Sequence, residues 1–213
     1  MKLKAPYISP DAVKTLKEVS EKLDGLQRYA IDQVPWPLYP YLPDAKFSIA
    51  YTNDAILLKY FVEENSIRIC CHTTNGAVHE DSCVEFFIMF DGEAEYYNLE
   101  FNCIGICSAA FGKSRDEREL LSAQSISRIK RLSQIKGCVE EDKQQVSWQL
   151  TLVIPMDTFI HHGISDLKNK NCKVNFYKCG DALPNPHFLS WKQIVADSPD
   201  FHLPQFFGEM QFV

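Results

Sequence analysis

The sequence contains no apolar run near the roughly 18 residues that a membrane-spanning helix needs. It also lacks a basic patch larger than Arg128, Lys130 and Arg131, and its 22 basic and 28 acidic side chains leave a net charge of −6. Neither a membrane nor a nucleic acid is therefore expected as a partner, because affinity for a phosphate backbone comes from charge neutralisation. There is no internal repeat or low-complexity tract. No G-x-S-x-G elbow, P-loop or G-x-G-x-x-G follows a strand-like run, which removes the common nucleophile and phosphate cradles. The histidines at 72, 79, 161, 162, 187 and 202 show no zinc-pair spacing, and Cys70-Cys71 is not a C-x-x-C. Structural zinc is not expected. Calcium in the acidic loops stays open, since backbone carbonyls supply ligands that a sequence does not display.

What is present suits one sizeable core: 213 residues, 46% of them hydrophobic. The eight cysteines could make four disulfides, but such scaffolds are short secreted chains. Cys70, Cys71, Cys83, Cys103, Cys107 and Cys179 lie in strand-like apolar runs, so reduced core thiols are expected. Met1 to Tyr7 carries two lysines and no apolar segment after them, which predicts a cytoplasmic location.

Two parts are expected, residues 1–43 and 44–213. In the first, Ser9-Pro10-Asp11 reads as a helix start. Val13, Leu16, Val19, Leu23 and Leu26 then predict about four amphipathic turns. Four prolines between Val34 and Pro43 leave an extended strip bearing Trp36, Tyr39 and Tyr41.

In the second part the pattern is β. Strands are expected at 46–51, 56–62, 66–73, 83–90, 96–104, 105–111, 125–132, 144–154, 172–180, 188–191 and 208–213. Short helices are expected at 114–121 and 156–160. Thr52-Asn53-Asp54, Glu64-Asn65, Asn75-Gly76 and Asp91-Gly92 are turn signals. The series predicts an all-β antiparallel β-sandwich, immunoglobulin-like or jelly-roll in type, with an amino-terminal helix. Tyr97, Leu99, Phe101 and Cys103 alternate with Asn98, Glu100 and Asn102, and the apolar set is assigned to the core. Trp148 falls in the core by the same reasoning. Glu85 interrupts an otherwise apolar strand, so it must be paired, hydrogen-bonded or facing a cleft.

Asp81, Glu85, Asn98, Glu100, Asn102, Asn175 and Asp181 form one candidate set. Planar acceptors and donors on one sheet face suit sugar hydroxyls. Two of the carboxylates could instead act as the acid and nucleophile of a glycosidase; a non-catalytic subunit that binds a protein partner, its polar face merely solvated, is the third reading. A second cluster, His187 to Trp191 and Asp200 to Gly208, carries aromatics and histidines, of which Phe201 is expected to be exposed and Trp191 and Phe207 to be core. Cys179 with His187 imitates a thiol dyad, although nothing marks the thiol as activated.

Five segments in order resemble carbohydrate-binding module family 9, in its stand-alone bacterial branch. They are Asp81-Ser82-Cys83-Val84-Glu85-Phe86-Phe87-Ile88, Tyr96 to Asn102, Trp148 to Pro155, Val174-Asn175-Phe176-Tyr177, and Phe201 to Gly208. The resemblance implies a sandwich with a cleft that holds sugar between two aromatic rings, often with bound calcium, and without catalysis by the module. It places a ligand-facing carboxylate at Glu85, a polar sheet position at Tyr177 and a clamp ring at Phe201. The other clamp ring would fall near Val78-His79, where no tryptophan stands, and a family arginine falls on Glu100, a charge reversal. Trp36, Tyr39 or Tyr41 of the amino-terminal strip is expected to supply the replacement ring. The ligand-binding set is thus Glu85, Tyr177, Phe201, Asn175, Asn98, Glu100, Trp36, His202 and His79, with Glu85 and Glu100 the pair if the protein is an enzyme. Carbohydrate catabolism is the expected setting and a sugar or oligosaccharide the expected partner.

Overall fold

The computed structural model describes residues 2–90, 92–140 and 143–213, with backbone alone at 138–140, 143 and 144. The turn expected at Asp91-Gly92 lies partly outside these residues. In order the elements are β1 (Leu3–Ala5), α1 (Leu16–Asp24), β2 (Tyr29–Ala30), β3 (Asp44–Tyr51), β4 (Ala55–Glu64), β5 (Cys83–Phe90), β6 (Tyr96–Asn102), β7 (Cys107–Gly112), β8 (Arg118–Leu120), α2 (Ala123–Ser127), β9 (Lys130–Glu140), β10 (Lys143–Pro155), β11 (Asn171–Cys179), β12 (Phe188–Ser190) and β13 (Gly208–Phe212).

They form two sheets, β1-β13-β11-β5-β6-β7-β8 with β12 beside β11, and β2-β3-β4-β10-β9. Pairing within them is antiparallel except between β1 and β13. The expected sandwich is present. β1 and β2 add a strand to each sheet, so the first 43 residues are more than a helix and an extended strip.

Period-two alternation buries Phe86, Leu99, Phe101 and Phe176 of one sheet against Phe47, Tyr60, Trp148 and Leu150 of the other. Phe47 and Phe176 stack across the layers at 3.6 Å. At roughly 25 cal/mol per Å², each such ring contributes about 2 to 3 kcal/mol on burial.

Five local expectations are corrected. The helix starts later, because Thr15 and Glu18 make a reciprocal capping box: Glu18 N–H donates to Thr15 Oγ1 (3.2 Å) and Thr15 N–H to Glu18 Oε2 (2.8 Å). Pro10–Ala12 is only a single 3₁₀ turn. Residues 66–73 form no strand, since their backbone donors turn to side chains: Arg68 N–H to Ser82 Oγ, and the N–H groups of Cys70 and Cys71 to the Asp81 carboxylate. Cys70 is accordingly exposed. A helix expected within 114–121 is instead β8, paired with Ala110–Gly112, and the start of the strand expected at 125 is α2, capped by Ser122. Gly105 is not the first residue of a strand; at φ 87° it closes the turn from Asn102, and β7 begins after it.

Among the described residues Cys70, Cys71, Cys83, Cys103, Cys107 and Cys179 are free thiols. Among the described residues no helix is long and apolar enough to cross a membrane.

Candidate functional site

The outer face of the larger sheet carries the chemistry. Register places Tyr177 opposite Glu85, Glu85 opposite Glu100, and Glu100 opposite Ser108, a row across β11, β5, β6 and β7. The next row is Cys179, Cys83 and Asn102. Sequence reading treats a polar face as open to solvent, yet these residues are buried. Loops cover them, and a second apolar cluster of Trp36, Phe87, Tyr96, Tyr177, Phe201 and Phe207 fills the space between.

A cavity of about 80 Å³ remains over this face. Glu85, Glu100 and Cys179 form its floor. His79, Asp181, Arg115 and Arg118 stand at its sides, and Phe188, Pro199, Asp200, Phe201 and His202 shape its mouth. It is small against the roughly 300–1,000 Å³ of drug-sized pockets, so it suits the edge of one small polar group.

Its electrostatics follow from burial. The Glu85 carboxyl is pushed well above the usual carboxylate range by desolvation, reinforced by Glu100 across the strand pair, and it accepts from the Cys179 thiol at 3.2 Å. Glu100 is also raised by desolvation, opposed by Arg118 and His79; Asn98 Nδ2 donates to its Oε1 at 2.8 Å and Arg118 Nη1 at 3.4 Å. Asp181 is raised for the same first reason, burial. Arg118 Nη1 also donates to His202 Nε2 (3.1 Å), leaving the His202 Nδ1–H to face the Tyr96 hydroxyl (2.9 Å). Burial and the two arginines hold His202 down to about 3, a neutral imidazole. The mouth therefore offers oriented donors and acceptors of both signs.

Of the expected residues, the structure brings Glu85, Glu100, His79, Phe201 and His202 together at the cavity. The others stand behind it. Phe201 is only 8% exposed, because its ring stacks on Tyr177 at 4.1 Å and 10°. Tyr177 is fully buried and its hydroxyl donates to the Phe201 carbonyl, so it pins the clamp ring from beneath. Trp36, expected as a second exposed ring, is 4% exposed; its Nε1–H donates to the Ala196 carbonyl and its ring packs on Phe188 and Phe201. Trp36 folds in because its ring gains more by burial than by display, while Pro37, Leu38, Pro40 and Leu42 of the same strip stay exposed. Asn98 orients Glu100 from below. Asn175 is also off the cavity: it donates to the Lys192 carbonyl and accepts from the Lys192 N–H. Asp81 is bonded to Arg68, Asn102 and two backbone N–H groups; burial pushes its carboxyl up, and these bonds together hold it below the usual range. It braces the 66–82 loop. Cys179 and His187 form no dyad, since His187 bonds Lys178 Nζ and the Asn185 carbonyl.

The arginines were missed. They sit on the β7–β8 hairpin, whose polar Lys113-Ser-Arg-Asp-Glu117 stretch between two strands is a hairpin signal that helix reading of 114–121 obscured. The positive charge that the family resemblance places at Glu100 thus reaches Glu100 from Arg118. For calcium, the fit is poor at the one cluster of three candidate ligands among the described residues: Cys83, Glu85 and Cys179 offer two thiols and one carboxyl, whereas calcium takes six to eight oxygens.

The model of carbohydrate-binding family 9 matches residues 17–212. A solved candidate carbohydrate-binding protein from Bacteroides uniformis is 38% identical, with a TM-score of 0.89 over 100% of this chain and 99% of its own. A family 9 module from Caldicellulosiruptor kristjanssonii in complex with cellotriose is 10% identical, with a TM-score of 0.61 over 100% of this chain and 93% of its own. A family 9 module from the same organism in complex with glucose is 12% identical, with a TM-score of 0.57 over 100% of this chain and 96% of its own. No curated protein matches the chain.

Proposed function

We propose, from the premise that the chain belongs to carbohydrate-binding family 9, that it binds carbohydrate at the Glu85–Glu100 cavity. The observation that carries the reading is the buried row of facing carboxyls, flanked by Arg118, His79 and His202 and bordered by Phe201 and Phe188. Planar acceptors and guanidinium donors pair with vicinal hydroxyls, and the two phenyl rings cover a sugar's C–H face. The small volume favours the end of a chain or a single sugar over a long run of residues. Glucose and cellotriose, bound by the Caldicellulosiruptor modules, head the panel of ligands. A role in carbohydrate catabolism and a cytoplasmic setting complete the proposal, the latter supported by the free thiols of Cys70, Cys71, Cys83, Cys103, Cys107 and Cys179.

The test is a thermal-shift and calorimetric screen of mono- and oligosaccharides. A true ligand at 100 times its Kd adds about 2.7 kcal/mol to stability. Phe201→Ala and Glu100→Gln are expected to weaken binding at least about tenfold, the loss of one good contact of about 1.4 kcal/mol. A broad panel with no shift would refute the reading.

Hydrolysis of an O-glycosyl bond is the second reading, favoured by two carboxyls of raised pKa on adjacent strands. Against it, Glu85 and Glu100 rise side by side from one floor, whereas the acid and nucleophile of a glycosidase flank the scissile bond. Reducing-sugar release lost in both Glu85→Gln and Glu100→Gln would decide for hydrolysis.

A further inference from the structure

At the floor of the sugar cavity lies a cluster of which the carbohydrate reading uses Glu85 alone. Cys83 and Cys179 are directly opposite on β5 and β11, and Glu85 follows Cys83 by two residues on the same face. Their Sγ, Sγ and carboxyl oxygen atoms all lie within 4.8 Å of one another. All three residues are buried, and two of them, Glu85 and Cys179, open onto the cavity. We propose that Cys83, Cys179 and Glu85 form a binding site for a thiophilic divalent cation of the zinc class, with its fourth position facing the cavity.

The donor chemistry selects the ion. Two thiolates and one carboxylate suit zinc or cadmium and disfavour calcium and magnesium, which want oxygens. A tetrahedral zinc site spaces its sulfurs about 3.8 Å apart with Zn–S near 2.3 Å. The present separations need side-chain rotation of about 1 Å or less, with the strands left in register. The cavity is the entry path, and its wall carries Glu100 and Asp181 as well as His79, Arg115 and Arg118. In the metal-free arrangement burial raises the Cys83 thiol to about 11 and pushes Glu85 well above its usual range, and the Cys179 thiol donates to Glu85. Each ion would displace those protons. The spacing of 83, 85 and 179 explains why sequence reading saw no zinc motif: the third ligand comes from a partner strand about ninety residues on.

Cobalt(II) is the probe, added to reduced full-length protein in a non-chelating reductant, followed by zinc displacement. The expected result is one equivalent bound per chain, with the near-ultraviolet thiolate-to-cobalt band, bleached by zinc. Cys83→Ala and Cys179→Ala, checked for folding by circular dichroism, are expected to abolish the band. Glu85→Gln keeps both thiols and side-chain volume and is expected to bind at least about tenfold more weakly. Cys70→Ser/Cys71→Ser, at the surface, should retain the full band. A wild-type protein without the band, or a band that survives Cys83→Ala but vanishes in Cys70→Ser/Cys71→Ser, would overturn the proposal. Since no sugar enters the titration, its outcome is independent of the carbohydrate reading.

Discussion

Glu85 and His202, both at the cavity, pull on the pH dependence of stability in opposite senses. Glu85, Glu100 and Asp181 keep their protons in the fold above the pH at which the unfolded chain releases them, near 4 to 4.5. Their contribution is full below that range and is lost as pH rises toward their folded values. His202 and His187, held to about 3, stay neutral in the fold while the unfolded chain takes up protons below 6.5. Their contribution is present above 6.5 and lost as pH falls toward 3. Stability is therefore expected to peak between about 4.5 and 6.5. Glu85→Gln, which imitates the protonated acid, should flatten the decline on the alkaline side, read as urea midpoints across a pH series. An unaltered slope would remove Glu85 as its source. Glu85 was legible in the sequence as the single polar residue of an apolar strand. His202's neutral state was not, because it depends on burial under distant loops and on Arg118, 84 residues away, at 3.1 Å.

Among the elements, strands with clean alternation were readable: β5, β6, β10 and β11 stand within two residues of their expected bounds. Alternation carries the face assignment with it, so the register row that holds the carboxyls followed. Where short polar segments intervene, local side-chain bonds decide the backbone, and periodicity is silent. Residues 66–73 and the β7–β8 hairpin are such cases. The hairpin matters because it alone delivers guanidinium groups to the cavity. Arg118→Gln should weaken sugar binding at least about tenfold through lost charge-assisted bonds, each worth about 1.5 to 3 kcal/mol. Circular dichroism should be unchanged, Arg118 being only partly buried. Sugar affinity equal to wild type would take the hairpin out of the site.

At the level of the whole molecule, the two sheets are joined by more than apolar contact. Lys178 points from β11 into the core, where Nζ stands 2.9 Å from Glu64 Oε2 on β4, an ion pair not aligned as a hydrogen bond. Trp148 Nε1–H on β10 donates to the other Glu64 oxygen at 2.6 Å, and His187 Nε2 meets Lys178 Nζ at 2.8 Å. Lys178→Met leaves Glu64 charged and buried, so a loss of about 3 to 5 kcal/mol is expected in urea unfolding. Lys178→Met/Glu64→Leu should recover most of it, because a buried pair replaced by apolar residues is often neutral. Equal losses in the single and double variants would refute that account. The sandwich itself was legible, since it needs only alternation and turns. This bolt was not, for a lysine among Phe176, Tyr177 and Cys179 reads as an outward residue until its partner on another sheet is known.

The separation of two apolar clusters by one sheet has an evolutionary consequence. The inner cluster underwrites foldability, while Phe188 of β12 and the loop that bears Phe201 and His202 border the cavity on the far side of that sheet. Distant, unshared contacts make mutational effects nearly additive. Selection on what is recognised can thus work through the mouth's rings and imidazoles while selection on persistence works through the inner layer. A lineage of such chains can diversify its targets without first accumulating a reserve of stability.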